Sequence, residues 1–228
     1  MRIVSVNVGL PRQVTWRGKA ITTGIFKEPV AGRVAVRVLN LDGDRQADLT
    51  AHGGREKAVY AHPAEHYAYW RAELPGVALE HGAFGENLTT EGLLEDDVQV
   101  GDRFRVGSAE LIATQPRLPC YKLAARFQRA DMVKRFLASR RTGFYFAVAR
   151  EGAVAAGDAI ERVARDGAGL SIALVTQLYV GADDDRGALR RAAGTAALPA
   201  SWRGHFRERL GPDGRAHAEL SASTRPRT

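Results

Sequence analysis

Apolar and polar residues alternate in short runs along most of the first 165 positions of the chain. Residues 3–8 alternate as a half-buried strand does, and residues 33–39 repeat the pattern. Because turn residues separate such runs at short intervals, the pattern predicts a compact β-barrel rather than alternating strands and helices. The further runs of this kind cover residues 58–60, 98–102, 103–106, 109–114, 143–149 and 159–165.

Before residue 166, apolar residues occur at helical spacing in only a few segments. Residues 63–74 are predicted to form a helix whose buried face consists of Tyr67, Trp70 and Leu74. A second helix is predicted to begin at Asp131, a residue type that is favoured at the N-cap, and to end near residue 140.

The pattern changes at Asp166-Gly167-Ala168-Gly169, which interrupts the rhythm of strands. Beyond it we predict three helices, which begin at Ser171, at Asp184 or the next residue, and at Pro199. Their apolar residues suffice for a small helical domain that would not be very stable alone. We therefore divide the chain into a β-rich domain over residues 1–166, a three-helix domain over 167–211, and a polar tail over 212–228 that is typical of disorder.

The composition limits the expected partners. The formal net charge is +7, from 33 basic and 26 acidic residues. This balance permits binding of nucleic acids or small anions, but no basic run with interleaved aromatic residues occurs, so nucleic acid is not an expected partner. No apolar run approaches membrane-spanning length and residues 1–8 are strand-like, so we expect a cytoplasmic protein without a membrane partner.

Cys120 is the only cysteine among the 228 residues. One thiol cannot form an internal disulfide, a four-cysteine zinc site or an iron–sulfur cluster. Three interpretations remain. The thiol is inert and buried, it is a nucleophile, or it is a single soft ligand to a metal whose other ligands come from a cofactor.

The neighbours of Cys120 favour a reactive role over that of a small buried hydrophobic residue. Pro116 and Pro119 fix two φ angles, so Cys120 follows a stiff segment that leaves a strand. Arg117 and Lys122 place positive charge beside the sulfur and favour its thiolate form. The residues that follow have helical spacing, which predicts that Cys120 lies at the start of a short helix, where backbone N–H groups also favour an anion.

Two polar clusters ahead of Cys120 are candidate binding elements. Residues 40–48 are dense in carboxylates and form either a rigid functional loop or a polar turn. In the second cluster His52 precedes Gly53 and Gly54, and Lys57 follows. The paired glycines could bring backbone N–H groups close to an anionic oxygen, or they could simply form a tight turn into the next strand.

A third cluster is formed by Glu86 and Asn87, which sit between an aromatic and an aliphatic residue. The flanking apolar residues anchor the backbone while the carboxylate and the amide project from a turn. These two side chains either orient a substrate or satisfy their own turn.

His62, Glu65 and His66 match the H-x-x-E-H pattern of one class of zinc peptidases. Both histidines would have to lie within one helix. A helix that begins at residue 63 would leave His62 outside it, so we do not expect a zinc site here.

Taken together, these motifs resemble the MOSC-domain family, named for the C-terminal domain of molybdenum-cofactor sulfurases, and specifically its YiiM-type branch. One departure is Asn40, where the family usually has glycine; because Asn is the next-best residue at positive φ, we expect the loop geometry to be kept. The resemblance extends to about residue 210 and is carried by His52-Gly53-Gly54 with Lys57-Ala58-Val59-Tyr60, Glu65-His66-Tyr67 with Trp70, Phe84-Gly85-Glu86-Asn87-Leu88, Val100-Gly101-Asp102, Gln115-Pro116-Arg117 with Pro119-Cys120-Tyr121-Lys122-Leu123, Asp183-Asp184-Asp185, and Leu198-Pro199-Ala200-Ser201-Trp202.

The resemblance implies a mixed α+β fold, mainly β, with a MOSC-type β-barrel core and peripheral helices, followed by a small three-helix domain. It also implies that Cys120 ligates the metal of the molybdenum cofactor, whose molybdopterin dithiolene brings the other sulfurs. The residues that would hold the phosphate and oxygens of the pterin are Gly53, Gly54, Lys57, Asn87, Arg117 and Lys122.

Related MOSC proteins reduce N-hydroxylated purines and amidoximes to the parent amine or amidine. The resemblance therefore implies a molybdenum-dependent oxidoreductase that carries out a two-electron N–O reduction, with Cys120 catalytic and Glu86 or His52 relaying protons. Since the sequence has no G-x-G-x-x-G fingerprint and no iron–sulfur ligands, the electrons should come from a separate reductase. The resemblance also implies pyridoxal phosphate binding, a property that is assigned to the family in general.

The main alternative is a carrier or binding module without catalytic activity. Cys120 would then hold a persulfide for delivery, or the pocket would only store the cofactor. Molybdenum content, together with activity toward a hydroxylaminopurine, distinguishes the two functions.

Overall fold

The structure is a computed structural model that describes residues 1–49 and 53–211 of the chain. His52 and the predicted disordered tail over residues 212–228 lie outside the described residues. The strands are β1 (Arg2–Val8), β2 (Arg12–Trp16), β3 (Lys19–Thr23), β4 (Glu28–Pro29), β5 (Val34–Val36), β6 (Val59–Pro63), β7 (Leu88–Glu91), β8 (Arg103–Val106), β9 (Ala109–Pro116), β10 (Phe144–Arg150), β11 (Gly152–Val154) and β12 (Ile160–Ala164). The α-helices are α1 (His66–Glu73), α2 (Tyr121–Phe127), α3 (Met132–Ser139), α4 (Ile172–Tyr179), α5 (Arg186–Gly194) and α6 (Ala200–Leu210), and a 3-10 turn spans Arg55–Lys57.

Eight strands form one sheet in the order β12-β8-β9-β10-β6-β7-β1-β4. Neighbouring strands are antiparallel except for β6 and β7, which are parallel. In β10 the side chains of Phe144, Phe146 and Val148 are buried, which is the period of two that the alternating sequence predicts. Two further pairs, β2 with β3 and β5 with β11, form small sheets of their own.

The predicted closed barrel is not confirmed, because no strand pair joins the two ends of the sheet within the described residues. The ends nevertheless approach each other. The backbone N–H of Ile3 donates to the carbonyl of Asp158 at 2.9 Å, the N–H of Gly157 donates to the carbonyl of Ile3 at 2.8 Å, and one isolated bridge joins Arg2 to Ala159. The sheet therefore curls round its core, and the segment just ahead of β12 meets the start of β1.

The buried apolar side chains form two clusters. The larger one combines residues of the sheet, such as Phe104 and Phe146, with residues of the last three helices, such as Val175 and Phe206. The three-helix segment therefore shares its core with the sheet. That it would not be very stable alone stays a prediction. The smaller cluster lies among α1, α2 and α3.

The predicted starts of the last three helices are confirmed. The hydroxyl of Ser171 caps α4 and accepts a hydrogen bond from the N–H of Leu174 at 3.1 Å. The carboxylate of Asp185 caps α5, and α6 begins directly after Pro199. None of the described helices is both long enough and apolar enough to cross a membrane.

Two boundaries and one capping contact differ from the prediction. The helix predicted over 63–74 begins at His66, because Pro63 ends β6 and pairs with Thr90 of the parallel strand β7. Its buried face is nevertheless the predicted one. Asp131 precedes α3 without a capping hydrogen bond, since its carboxylate binds Arg129. The strand predicted over 33–39 is only β5, because the chain turns back just after it.

Candidate functional site

The C-terminal end of β9 opens into a cavity of about 590 Å³, including its mouth toward solvent. The lining residues come from the end of β3 and the segment after it, from the loop 44–47, from the 3-10 turn, β6 and β10, from the turn before β7 and from the residues around Cys120. They are Thr23, Gly24, Ile25, Lys27, Asp44, Arg45, Gln46, Ala47, Lys57, Tyr60, Phe84, Gly85, Asn87, Arg117, Cys120, Lys122 and Tyr145.

Cys120 lies at the cavity wall and is partly exposed. It occupies the N-cap position of α2 with an extended backbone, φ −124° and ψ 175°, and its carbonyl accepts the N–H of Leu123 at 2.9 Å. The prediction that it starts a short helix is confirmed. The alternative of a thiol sealed in the hydrophobic core is wrong, because the cavity reaches it.

Arg117 is 5% exposed and has a donor atom without a partner. Its Nη2 donates to the carbonyl of Phe84 at 3.5 Å, and the guanidinium lies 5.0 Å from the ring centre of Phe136 and 5.4 Å from that of Tyr60. Its Nη1 is buried and has no hydrogen-bond partner within the described part of the chain. A buried charged donor is costly when it is unsatisfied, so this atom marks a place where a polar or anionic ligand would bind.

Lys122 and Lys57 add further positive charge to the cavity wall. Lys122, on α2, is 8% exposed, and no carboxylate of the described residues forms an ion pair with it. Lys57 ends the 3-10 turn, which is fixed to β9 because the hydroxyl of Thr114 donates to the carbonyl of Glu56 at 2.7 Å. Burial lowers the pKa of Lys57, and the negative charge of Glu56 opposes this shift.

Gly53 and Gly54 do not line the cavity. Gly54 has φ 105°, which favours glycine, and a Cβ atom on Gly53 would lie 2.6 Å from the carbonyl oxygen of Leu49. The geometry therefore matches the tight-turn interpretation, in which the glycines bring the chain to Lys57. Their predicted role in binding a pterin oxygen stays a prediction.

Asn87 lines the cavity, but its side-chain amide is already engaged. Its Oδ1 accepts the N–H of Tyr60 at 3.0 Å, and its Nδ2 donates to Asp44 at 2.9 Å. Asn87 therefore joins β6 to the loop of Asp44. Cofactor binding through this side chain stays a prediction, and the contacts observed are structural.

Glu86 is buried and is not among the lining residues. Its carboxylate accepts hydrogen bonds from the hydroxyls of Tyr67 and Thr89 and from the backbone N–H groups of Gly82 and Phe84. Burial raises the pKa of Glu86, while these hydrogen bonds oppose the shift. Glu86 holds the turn together, and its predicted role as a proton relay has no support in its position.

Several lining residues were not singled out from the sequence. Lys27 and Asp44 form a buried ion pair at the cavity wall, and the ring of Tyr145 completes the wall from β10. Asp44 belongs to the carboxylate-rich loop, for which the functional interpretation is favoured because four of its residues line the cavity. Neither Lys27 nor Tyr145 carries a sequence signal beyond its residue type.

Asn40 does not adopt a positive φ, so the reason given for tolerating it in place of glycine was wrong. Its side-chain Nδ2 instead donates to the carbonyl of Asp44 at 3.2 Å, and its carbonyl accepts the N–H of Arg37 at 2.8 Å. Asn40 thus stabilises the loop through hydrogen bonds.

The side chains of the H-x-x-E-H pattern bind different partners. His62 lies in β6, where burial lowers its pKa well below the ordinary value. His66 lies 2.8 Å from the carboxylate of Glu95, and Glu65 accepts the N–H of Gly92 at 2.6 Å. Over residues 1–49 and 53–211, no group of three His, Cys, Asp or Glu side chains could hold a metal ion.

Comparisons with known proteins agree with this architecture. Residues 48–161 match the model of the MOSC domain, and residues 170–211 match that of the YiiM-like, 3-alpha helix domain. The chain is a MOSC-domain protein. Within that family it belongs to the branch that carries the YiiM-like three-helix domain.

Similar proteins cover most of the chain. YflK of Bacillus subtilis (strain 168), an uncharacterized protein, is 41% identical over 204 residues, which cover 90% of this chain and 92% of YflK. The crystal structure of YiiM from Geobacillus stearothermophilus is 39% identical with a TM-score of 0.77, and the match covers 92% of this chain and 99% of YiiM. A protein called reductase from Gibberella moniliformis (strain M3125 / FGSC 7600) is 35% identical over 151 residues, which cover 65% of this chain and 27% of the reductase.

MOSC domains are of the molybdenum-cofactor-sulfurase type, so family membership associates the chain with this cofactor. The residues of the cavity fit it. Cys120 offers one soft ligand for a metal whose other sulfurs come from the cofactor, and Arg117 and Lys122 offer cationic donors for a phosphate. The comparisons give no support for pyridoxal phosphate binding or for any particular substrate.

Proposed function

We propose that this protein is a molybdenum-cofactor-dependent reductase of small N-hydroxylated compounds such as hydroxylaminopurines or amidoximes. The observation that carries the proposal is the shared cavity of Cys120, which is partly exposed, and Arg117, a buried cation with an unpartnered donor atom. Membership of the MOSC family and the similarity to a protein called reductase support it.

The thiolate of Cys120 would bind the metal. Arg117, Lys122 and Lys57 would bind the anionic groups of the cofactor, because all three reach the cavity wall. When bound, the cofactor would pass on two electrons per turnover, which a separate reductase protein would deliver.

Tyr60 and Tyr145 would orient the substrate. Their rings lie 5.3 Å apart between centroids and line the same cavity, so they offer aromatic surface to a planar base or amidoxime. The hydroxyl of Tyr60 donates to the carbonyl of Thr142 at 2.7 Å, and burial raises its pKa well above the ordinary value. Tyr60 therefore stays neutral and fixed. The overall reaction consumes two electrons and two protons, breaks the N–O bond, and yields the amine and water.

The test uses protein produced in a host that makes molybdopterin. Hydroxylaminopurine reduction is followed with a supplied electron donor for the wild type and for Cys120→Ser, which keeps the size of the side chain but removes the sulfur. The proposal expects turnover by the wild type and a loss of at least about 100-fold in the variant. Wild-type protein that holds molybdenum without reducing any N-hydroxylated compound would instead indicate the carrier or storage module.

A further inference from the structure

We propose that Lys27 is the proton donor of this cavity and that Asp44 positions it. The inference rests on the proposed function, because the proton is delivered to the substrate of that reaction. It concerns two residues that the resemblance to the MOSC family did not bring forward.

The two side chains form one buried pair at the cavity wall. The ammonium of Lys27 donates to Oδ1 of Asp44, and the side chains are 8% and 1% exposed. The carboxylate is anchored by two more donors, since Oδ1 accepts the N–H of Gly9 at 3.0 Å and Oδ2 accepts the amide of Asn87 at 2.9 Å. Three donors therefore hold the side chain of Asp44 in a fixed position.

Lys27 keeps donor capacity for a ligand. An ammonium group has three N–H bonds, and Asp44 is the only hydrogen-bond acceptor of Lys27 Nζ within the described residues. The backbone beside it is fixed because β4, which begins at the next residue, pairs with Asn7 and Val8 of β1. A substrate in the cavity would thus meet a preorganised donor.

The surroundings of Lys27 favour proton release. Burial lowers its pKa, while the negative charges of Asp44 and Glu86 oppose the shift. Other charged groups on the cavity wall are Arg45, Lys57, Arg117 and Lys122. A general acid works best when its pKa lies near the working pH, and a guanidinium cannot lose its proton there. Lys57 and Lys122 are assigned to the cofactor in the proposed function, which leaves Lys27.

Reduction of the substrate consumes two electrons and two protons. The substrate R–NH–OH takes up two electrons, supplied by the separate reductase protein through the cofactor, and its N–O bond breaks. An N–H bond of the Lys27 ammonium breaks and an O–H bond of the departing water forms. A second proton, from solvent, completes R–NH₂, and a further solvent proton restores the ammonium.

The first test needs no bound cofactor. The chain has only five lysines, so their side chains can be labelled with ¹³C and followed by NMR as the pH is raised. Two signals should titrate below the ordinary lysine pKa of about 10.4, those of Lys57 and Lys27, and the Lys27 signal is identified by its absence from Lys27→Met. Lys134→Met, an exposed change on α3, is the control. If the Lys27 signal titrates at the ordinary value, the inference is overturned.

The second test uses the molybdenum-loaded enzyme. Lys27→Met is expected to lower kcat by about 100-fold and to abolish the alkaline decline of the wild-type rate, with unchanged molybdenum content. Lys27→Arg should also be slow, although it keeps the positive charge. If Lys27→Met keeps the wild-type kcat and pH profile, this inference is overturned but the proposed function is not. Loss of molybdenum from that variant has the same consequence, because Lys27 would then be a cofactor ligand. A molybdenum-loaded wild type without activity would overturn the proposed function as well.

Discussion

The side-chain amide of Asn87 donates a hydrogen bond of 2.9 Å to the carboxylate of Asp44, which is 43 positions away in the chain. Because the same amide accepts the N–H of Tyr60, this one side chain connects the start of β6, the turn before β7 and the loop at the cavity wall. The site therefore depends on a buried polar network as much as on the residues that would touch a ligand.

Replacing Asn87 should destabilise the protein strongly. Asn87→Ala leaves the N–H of Tyr60 and one oxygen of Asp44 without partners, and each unsatisfied buried group costs about 1–3 kcal/mol, so the free energy of unfolding should fall by about 3 kcal/mol. Asn40→Ala, which removes one hydrogen bond to a carbonyl, should cost about 1 kcal/mol. Denaturant unfolding measures both variants, and equal losses would contradict the network.

The charge of Glu86 should make stability depend on pH. Its folded pKa is raised by burial, so its contribution to stability is fully present below the unfolded value of about 4.3 and is lost as the pH rises through the folded pKa. Glu86→Gln removes this titration and places an amide N–H₂ among four donors. The variant should be less stable than the wild type by about 1–3 kcal/mol.

The difference in unfolding free energy between the wild type and Glu86→Gln should be larger at about pH 4.5, near the ordinary carboxyl pKa, than at about pH 7. Glu80→Gln, an exposed change in the same turn, is the matched control. A stability difference that grows toward pH 7 would contradict a raised pKa of the Glu86 carboxyl.

Arg117 should matter for the ligand more than for the fold. Its buried guanidinium has an unpartnered nitrogen, and a buried charge without a partner costs free energy that an apolar side chain of similar length does not. Arg117→Met should therefore leave the unfolding free energy of cofactor-free protein within about 1 kcal/mol or raise it, while the molybdenum content falls. Arg141→Met, an exposed change beside Tyr69, should alter neither property. Full molybdenum content in Arg117→Met would remove this residue from the site.

The cap of α5 should contribute measurable stability. Asp185→Ala removes hydrogen bonds to the N–H groups of Gly187 and Ala188 and should cost about 1 kcal/mol. Asp131→Ala is the matched comparison, because Asp131 precedes α3 without a capping hydrogen bond, and its effect should be smaller. Thermal or denaturant unfolding compares the two variants.

Sequence patterns predicted the helices and strands whose formation depends on residues close together in the sequence. Ser171 was identified as a cap because its hydroxyl satisfies a helix N–H within three residues, and the alternating strands β8, β9 and β10 were found by their period. The hairpin β2–β3 was missed. Its turn at Arg17 and Gly18 has φ values of 50° and 74°, and the arginine gives no hint of a positive φ.

The candidate site was predicted only where neighbours in sequence are neighbours in space. Arg117, Cys120 and Lys122 lie within six positions of one another, and all three line the cavity. Lys27 and Asp44 are brought together by the pairing of β4 with β1 and by the hydrogen bond from Asn87 to Asp44. Such long-range contacts produce no pattern in the local sequence. Glu86 was assigned to the site from its residue type and its place in the motif Phe84-Gly85-Glu86-Asn87-Leu88, but its carboxylate binds donors of the turn.

The most direct measurement is the molybdenum content per chain of the wild type and of Cys120→Ala, both produced in a host that makes molybdopterin. If Cys120 ligates the metal, the wild type should hold close to one molybdenum per chain, and the variant should hold at least about tenfold less with an unchanged fold. Wild-type protein without molybdenum, or a variant that keeps the full amount, would contradict the central claim.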